Sequence, residues 1–446
     1  MNLSTIRLLL RPAPGALGVV LIPATAFALV SALVLLVVGG AQAFWTWTDD
    51  RALLYRLLAS VALVLLVMPL GALGGAAARL SARRRDERLS TLRLLGVTPV
   101  GVGMLAVVES TLIAAAGVLA GVILALATAP LVGLIPFRGA PLGAAALLPP
   151  VGVLAIAAGT VLLAVVSAVI GLRRVVISPL GVRTRAAARS VHGVRAVVAL
   201  LAVAGAFALG KLVPQLGSGV ALVAGIVAVF AVGLTVLNLV GPWAMAVGGR
   251  ARLRRAKDAG RLLAARIVLD DPRAAWRPLN GVAMSSFMAV FAGTGVALMN
   301  AIGSDATGSR EDALLVEDMR TGLVITLIAS FLMVACSVAV TQGSEILDQR
   351  PLHQSLHALG VPADTVDAAR RRAVMSPLLL TVLGSAACAG LLILPLLGIA
   401  LIATPESVVT IALVLAAGVG LVWAATRITR PLLLRAFTDE ARPGLP

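Results

Sequence analysis

An all-α polytopic integral membrane protein is the fold class this sequence predicts, and three observations predict it. Apolar residues make up 60% of the 446 residues and charged ones only 13%, too little polar surface to coat a soluble globule of that size. Ten apolar runs approach or exceed twenty residues, the length of helix that crosses roughly 30 Å of hydrocarbon. The runs are continuous and rich in Leu, Ala and Val, without the alternation of barrel strands, so helix is the spanning form.

The runs fall near 16–40, 52–76, 99–126, 148–172, 196–214, 218–246, 279–301, 321–342, 376–402 and 407–426. Ala41-Gln42-Ala43 after the first imitates a signal-peptidase site, but the run of about 25 residues outlasts the roughly 7–15 of a signal peptide, which predicts a retained helix. With the N-terminus inside, the inner segments hold 31 of the 37 Lys and Arg residues and the outer loops only 6. Basic residues near span ends stay cytoplasmic, so both termini are expected there, in the plasma membrane of a bacterial cell. The net charge of +17 is divided among short inter-span segments and forms no nucleic-acid groove; it fits attraction to the anionic lipid of the inner leaflet. Cys336 and Cys388 lie within spans, where small apolar packing is the expected role.

The outer loops are short, near 41–51, 127–147, 215–217, 302–320 and 403–406. The first carries Phe44, Trp45 and Trp47, suited to the headgroup level. The second is apolar and proline-studded, which suggests a segment grazing the membrane surface, and the fourth is acidic, with Asp305, Glu311, Asp312, Glu317 and Asp318. Inside, a repeat stands out: Leu92-Arg93-Leu94-Leu95-Gly96-Val97 after span two returns as Leu356-His357-Ala358-Leu359-Gly360-Val361 after span eight. Each copy places leucines on one helical face, Leu89, Leu92 and Leu95 in the first and Leu352, Leu356 and Leu359 in the second. Four spans, two linking spans and four more follow in order, which predicts parallel units at 1–175 and 250–446 joined by a two-span linker at 176–249. A further amphipathic stretch, Arg250 to Asp271, leads into the second unit with Ala256, Gly260, Leu263 and Ile267 on one side and Arg254, Arg255, Lys257, Arg261 and Arg266 elsewhere.

The string Arg-Asp-Glu-Arg-Leu-Ser-Thr-Leu-Arg-Leu-Leu-Gly-Val at 85–97, followed by Glu109 and by Gly117-x-x-x-Gly121, resembles the FtsX-like permease family of ABC transporters. The ten-span layout is similar to the bacitracin-permease branch. The resemblance implies that the short cytoplasmic helix of each unit docks on an ATPase subunit. Coupling then falls to Leu89, Leu92, Arg93, Leu95 and Gly96 in the first copy and to Leu352, Leu356, Leu359 and Gly360 in the second. It further implies two ATP-binding-cassette partners that carry ATP and Mg, with a sensor kinase as a possible further partner, and no cofactor on this chain. Two departures stand out: Ala373 occupies the second unit's counterpart of Glu109, and the loop at 302–320 replaces the large extracellular domain of the bacitracin-type members.

A carboxylate within a span is costly unless it is paired, protonated or turned to protein or water, so Glu109 reads either as a coupling element or as a hydrogen-bonding residue that holds spans together. Gly117 and Gly121 permit close helix packing. His353 and His357 share a helix face, but without a third ligand they make a poor metal site and read as polar rim residues. The chain has no Gly-x-x-x-x-Gly-Lys-[Ser/Thr] phosphate loop and no hydrolase constellation, which places ATP hydrolysis on a separate subunit. The expected function is the permease subunit of an ATP-driven exporter or extractor of an amphipathic or lipid-associated compound, such as an antimicrobial peptide. The alternative is a membrane protein that transmits force or signal from the same ATPase stroke without transporting. An ion-coupled transporter built on Glu109 is disfavoured, since one carboxylate makes a thin ion pathway.

Overall fold

A computed structural model describes residues 17–49, 51–94, 99–176, 219–305, 310–394, 405–431 and 433–434, with the single residues 205 and 398. The helices are α1 (Leu17–Gln42), α2 (Ala52–Leu94), α3 (Pro99–Gly133), α4 (Pro150–Val176), α5 (Gly219–Arg254), α6 (Ala259–Asp270), α7 (Pro272–Trp276), α8 (Asn280–Asp305), α9 (Arg310–Asp348), α10 (Arg350–Ala358), α11 (Ala363–Leu392) and α12 (Pro405–Ile428). Among the described residues, nine helices are long and apolar enough to cross a bilayer. They answer to nine of the ten apolar runs; the run at 196–214 lies outside the described residues except for Gly205. The chain is an all-α, multi-pass membrane protein.

Three segments depart from the sequence-based expectation. The basic stretch after span two is not a separate helix, because α2 continues without a break to Leu94. Between Gly75 and Gly96 there is no glycine or proline, and Ala, Arg and Leu dominate, all strong helix formers. The acidic loop at 302–320 is largely helical: α8 runs to Asp305 and α9 begins at Arg310. Glu311 sits in the first turn of α9, where a carboxylate complements the helix dipole. The loop at 127–147 is not irregular throughout but folds into a hairpin, β1 (Pro136–Phe137) with β2 (Ala140–Pro141), which buries Phe137.

Small residues set the packing of α1 to α4. A Cβ at Gly117 of α3 would stand 2.5 Å from the Ala24 carbonyl and 2.8 Å from Phe27 Cβ, and one at Gly121 would collide with Ala28 and Ser31. The two glycines therefore seat α1 against α3 at backbone distance. The second group, α8, α9, α11 and α12, packs around Phe331, Leu327, Val334, Leu378 and Val422, and the Phe331 ring lies directly on Gly418. Helix α5 joins this group through Val229 and Leu237, which meet Phe287 and Leu392.

Helix α9 is shared between the groups. Its Met333 packs with Val30, Leu33, Leu66 and Leu73, and its Val340 enters the cluster of Phe27, Ala77, Ala114 and Ala164. A second crossing point is Gly281 of α8, where a Cβ would lie 2.7 Å from Pro69 Cβ of α2. Cys336 and Cys388 pack at the edges of separate apolar clusters.

The apolar side of the amphipathic stretch before the second group divides in two. Helix α6 buries Gly260, Ala264, Ala265 and Val268, while Leu263 and Ile267 are exposed. Small residues win the inner face because Arg372 and the Thr365 carbonyl stand within 4 Å of where a Cβ at Gly260 would be.

The loops 41–51, 127–147 and the start of α9 gather at one end of the bundle, and the segments 254–272, 350–362 and 428–434 gather at the other. The charge asymmetry predicts that the second end faces the cytoplasm. Thr48→Cys, which is exposed at the first end, should react with an impermeant thiol reagent in intact cells, and Ser355→Cys, exposed at the second, should react only after lysis. Labelling of position 355 in intact cells would invert the orientation.

Candidate functional site

At the basic end, the second copy of the repeat forms a helical turn mounted on three longer helices. Helix α10 ends in a reciprocal pair of hydrogen bonds: Gly360 N–H donates to the His357 carbonyl at 2.9 Å, and Val361 N–H donates to the Leu356 carbonyl at 3.0 Å. Gly360 has φ +78°, a conformation that a side chain strains by about 1–2 kcal/mol. This is the glycine-ended Schellman arrangement, and its usual apolar contact between the flanking residues is made by Leu356 and Val361. Both pack on Ile346 of α9, Val366 of α11 and Leu433 beyond α12.

The repeated Leu-x-x-Leu-Gly-Val string is therefore first a helix-ending signal, and the three leucines expected on one face divide in two. Leu356 faces inward and holds the turn to the bundle. Leu352 and Leu359 stay outside, 53% and 79% exposed, in a segment that carries no span of its own.

Ionic contacts fix the mounting. Asp367 is buried near the start of α11 and pairs with Arg370 Nη2 at 3.3 Å and with Arg371 Nε at 3.2 Å. Arg370 Nη2 also donates to Thr429 Oγ1 at 3.0 Å, and Arg430 reaches Asp364 at 2.9 Å. The Thr429 and Arg430 contacts tie the first turns of α11 to the end of α12.

The first copy differs in form. Leu89, Leu92 and Arg93 fall on the last two turns of α2, while Leu95 and Gly96 lie outside the described residues. The spacing beyond the two glycines is nonetheless the same. Gly96 precedes the start of α3 by three residues and Gly360 precedes the start of α11 by three; Glu109 and Ala373 each stand ten residues into those helices. Glu109 is half-buried, beside the buried Ser110. His357 is exposed, and among the described residues no group of three His, Cys, Asp or Glu side chains could hold a metal ion.

The opposite end carries a constellation that the sequence reading did not assemble. Asp318 of α9 is only 5% exposed. Its carboxylate accepts the Tyr55 hydroxyl at 2.6 Å and the Arg138 backbone N–H at 3.0 and 3.1 Å. Arg138 and Gly139, with φ +55° and +75°, are the two central residues of the β1–β2 turn, the mirror-image turn that suits a two-residue hairpin. That conformation is unusual for arginine and is held by its contacts. The guanidinium donates to both oxygens of Asp49 at 2.9 and 2.8 Å and stacks 3.9 Å from the Trp47 ring centroid and 4.7 Å from that of Tyr55. Phe44 and Phe137 complete the aromatic packing, their rings 5.1 Å apart.

The hydrogen bond from Arg138 holds the Asp49 carboxyl below its ordinary pKa. A lowered carboxylate pKa stabilises the fold above its unfolded value, so this pair is intact at neutral pH and is lost only as the pH falls through the lowered value. Asp49, Tyr55 and Arg138 belong to the first helix group and Asp318 to the second, so the constellation clamps the two groups at their outer ends. The signals that could have pointed to it are slight: Tyr55 is the single tyrosine of the chain, and Arg138-Gly139 sits between two prolines.

Residues 60–180 match the family model described as FtsX-like permease C-terminal. The matched stretch holds most of α2, all of α3, the hairpin and α4, and with them Leu89, Leu92, Arg93, Leu95, Gly96, Glu109, Gly117 and Gly121. No curated protein and no solved structure matches the chain.

Proposed function

The chain carries an FtsX-like permease domain over residues 60–180, and on that premise we propose that it is the transmembrane subunit of an ATP-driven transporter, exporting or extracting an amphipathic or lipid-associated compound such as an antimicrobial peptide. The observation that carries the reading is the docking turn at 350–361. It is apolar on its free side through Leu352 and Leu359, braced from behind by Leu356 and Val361 against Ile346, Val366 and Leu433, and repeated at equal spacing around Gly96. An exposed apolar knob on a rigid mount is what a force-bearing contact needs, since the contact transmits motion only if the mount does not yield.

The units are proposed at 1–175 and 250–446 with the linker at 176–249. In the resting state the clamp of Asp318 with Tyr55 and Arg138 holds their outer ends together. Closure of two ATPase subunits, with ATP and Mg bound there, would draw the regions around Leu95 and Leu359 toward each other. The shared helix α9 would carry that motion to the clamp. Glu109 lies on α3 between the two ends and is proposed as a polar pivot of the first unit that Ala373 does not supply in the second. The host membrane is proposed to be a bacterial plasma membrane, and a sensor kinase is a further candidate partner.

A second reading, force transmission without transport, is favoured by one observation: the described outer loops fold onto one another at the clamp. Purification with bound partners separates the two. An ATPase activity stimulated by amphipathic peptides or lipids supports transport; hydrolysis that responds only to a membrane protein partner supports transmission. Native mass spectrometry of the complex should give one copy of this chain with two ATPase subunits, because two docking regions in one chain answer the two sockets of an ATPase dimer. A mass of two permeases with two ATPases would refute the internal repeat.

A further inference from the structure

We propose that α6 is a membrane-surface helix that binds anionic phospholipid of the inner leaflet. Its position follows from chain connectivity. Only four residues separate the end of α5 at Arg254 from the start of α6 at Ala259, and α7 begins two residues after its last, Asp270. Four residues reach at most about 14 Å, and the flanking helices are membrane spans, so α6 cannot leave the level of the lipid headgroups.

Its surface fits that level. The inner face, Gly260, Ala264, Ala265 and Val268, is taken up by protein. On the outer side Leu262, Leu263 and Ile267 are exposed, as are Arg261 and Arg266, and Arg254, Arg255 and Lys257 are exposed just before the helix. Exposed apolar side chains interleaved with basic ones belong in a leaflet boundary, where the apolar groups enter the acyl region and the basic groups meet phosphate. Asp258 offsets only part of this charge. It caps the helix by accepting from the Arg261 N–H and pairs with Arg261 at 3.0 Å and with Arg372 of α11 at 3.3 Å, so it offsets Arg261 and leaves Arg254, Arg255, Lys257 and Arg266 as the charge turned to the lipid. Each basic residue near an anionic surface favours binding by roughly five-fold, so the occupant is an anionic leaflet and not a zwitterionic one.

The Asp258–Arg372 pair also carries the consequence. Arg372 stands on the first turns of α11, directly after the docking turn, so lipid seated on α6 bears on the same helix that the turn drives. The inference rests on the membrane topology and stands whether or not the chain transports.

The test uses the full chain carrying Leu263→Cys in a Cys336→Ala, Cys388→Ala background, labelled with a polarity-sensitive fluorophore. It is placed in nanodiscs of phosphatidylcholine with about 30% of either brominated phosphatidylglycerol or brominated phosphatidylcholine. Brominated phosphatidylglycerol should quench several-fold more strongly, and the triple variant Arg255→Gln, Lys257→Gln, Arg266→Gln should erase the difference while leaving the thermal midpoint unchanged. Equal quenching by the two lipids overturns anion recognition, and absence of quenching by either shows that the face meets protein or water. Ile267→Cys, on the same side, provides the second position, and agreement between the two guards against a local distortion at either.

Discussion

Replacing Asp318 by alanine should lower the thermal midpoint of the purified protein more than any other single change at the outer end. The carboxylate is buried and is the shared acceptor of the Tyr55 hydroxyl and the Arg138 N–H. Its removal leaves the buried Tyr55 hydroxyl without a partner, at about 1–3 kcal/mol, and the half-buried Arg138 N–H without one at less. The Arg138 turn, held at φ +55°, loses the contact that fixes it and with it the stacking on Trp47 and Tyr55. Asp318→Asn keeps one acceptor oxygen and should cost less than half as much. The coupling can be isolated by a double-mutant cycle with Tyr55→Phe, in which the double variant should be more stable than the sum of the singles predicts. Additive losses would show that Asp318 and Tyr55 contribute independently and that no clamp exists. If the clamp holds the two helix groups closed, Asp318→Ala should also raise basal ATPase activity in the complex, whereas a purely structural residue would lower it along with stability.

What the sequence made legible, and what it hid, divides along the range of the interactions. Membrane spans are local: twenty apolar residues announce themselves wherever they sit, and nine of the ten runs lie on described helices. The end of α10 is local as well, since Leu356, Gly360 and Val361 form the Schellman arrangement within six residues. The clamp is not local. Tyr55 and Asp318 are 263 positions apart and Asp49 and Arg138 are 89 apart, and no periodicity links them. The apolar side of α6 was legible as a stripe, but not which part of it meets protein: Gly260 and Ala264 are buried while Leu263 and Ile267 are exposed, a division set by neighbours distant in sequence. The continuity of α2 was missed because the charged stretch was read as a short helix separate from the span, although Arg, Glu and Ala are good helix formers and nothing between Gly75 and Gly96 breaks the run.

Leu359→Asp should separate coupling from folding. Leu359 is 79% exposed at the end of α10, so a carboxylate there meets water in the isolated protein and the thermal midpoint should stay unchanged. In the complex the same carboxylate would be forced into an apolar socket without a counter-charge. The loss expected at such a contact is about 2–4 kcal/mol, roughly 30- to 1000-fold in affinity for the ATPase. Leu352→Asp, on the exposed side of the same helix, should act in the same direction. Leu356→Asp is the contrasting variant: that side chain packs against Ile346, Val366 and Leu433, so it should lower the midpoint of the isolated chain by breaking the mount itself. The decisive comparison is co-purification of the ATPase with each variant alongside its melting curve. Normal co-purification and normal substrate-stimulated hydrolysis with Leu359→Asp and Leu352→Asp would exclude this face as the docking surface. Loss of the ATPase at an unchanged midpoint would assign the contact to the two leucines that the turn holds outward.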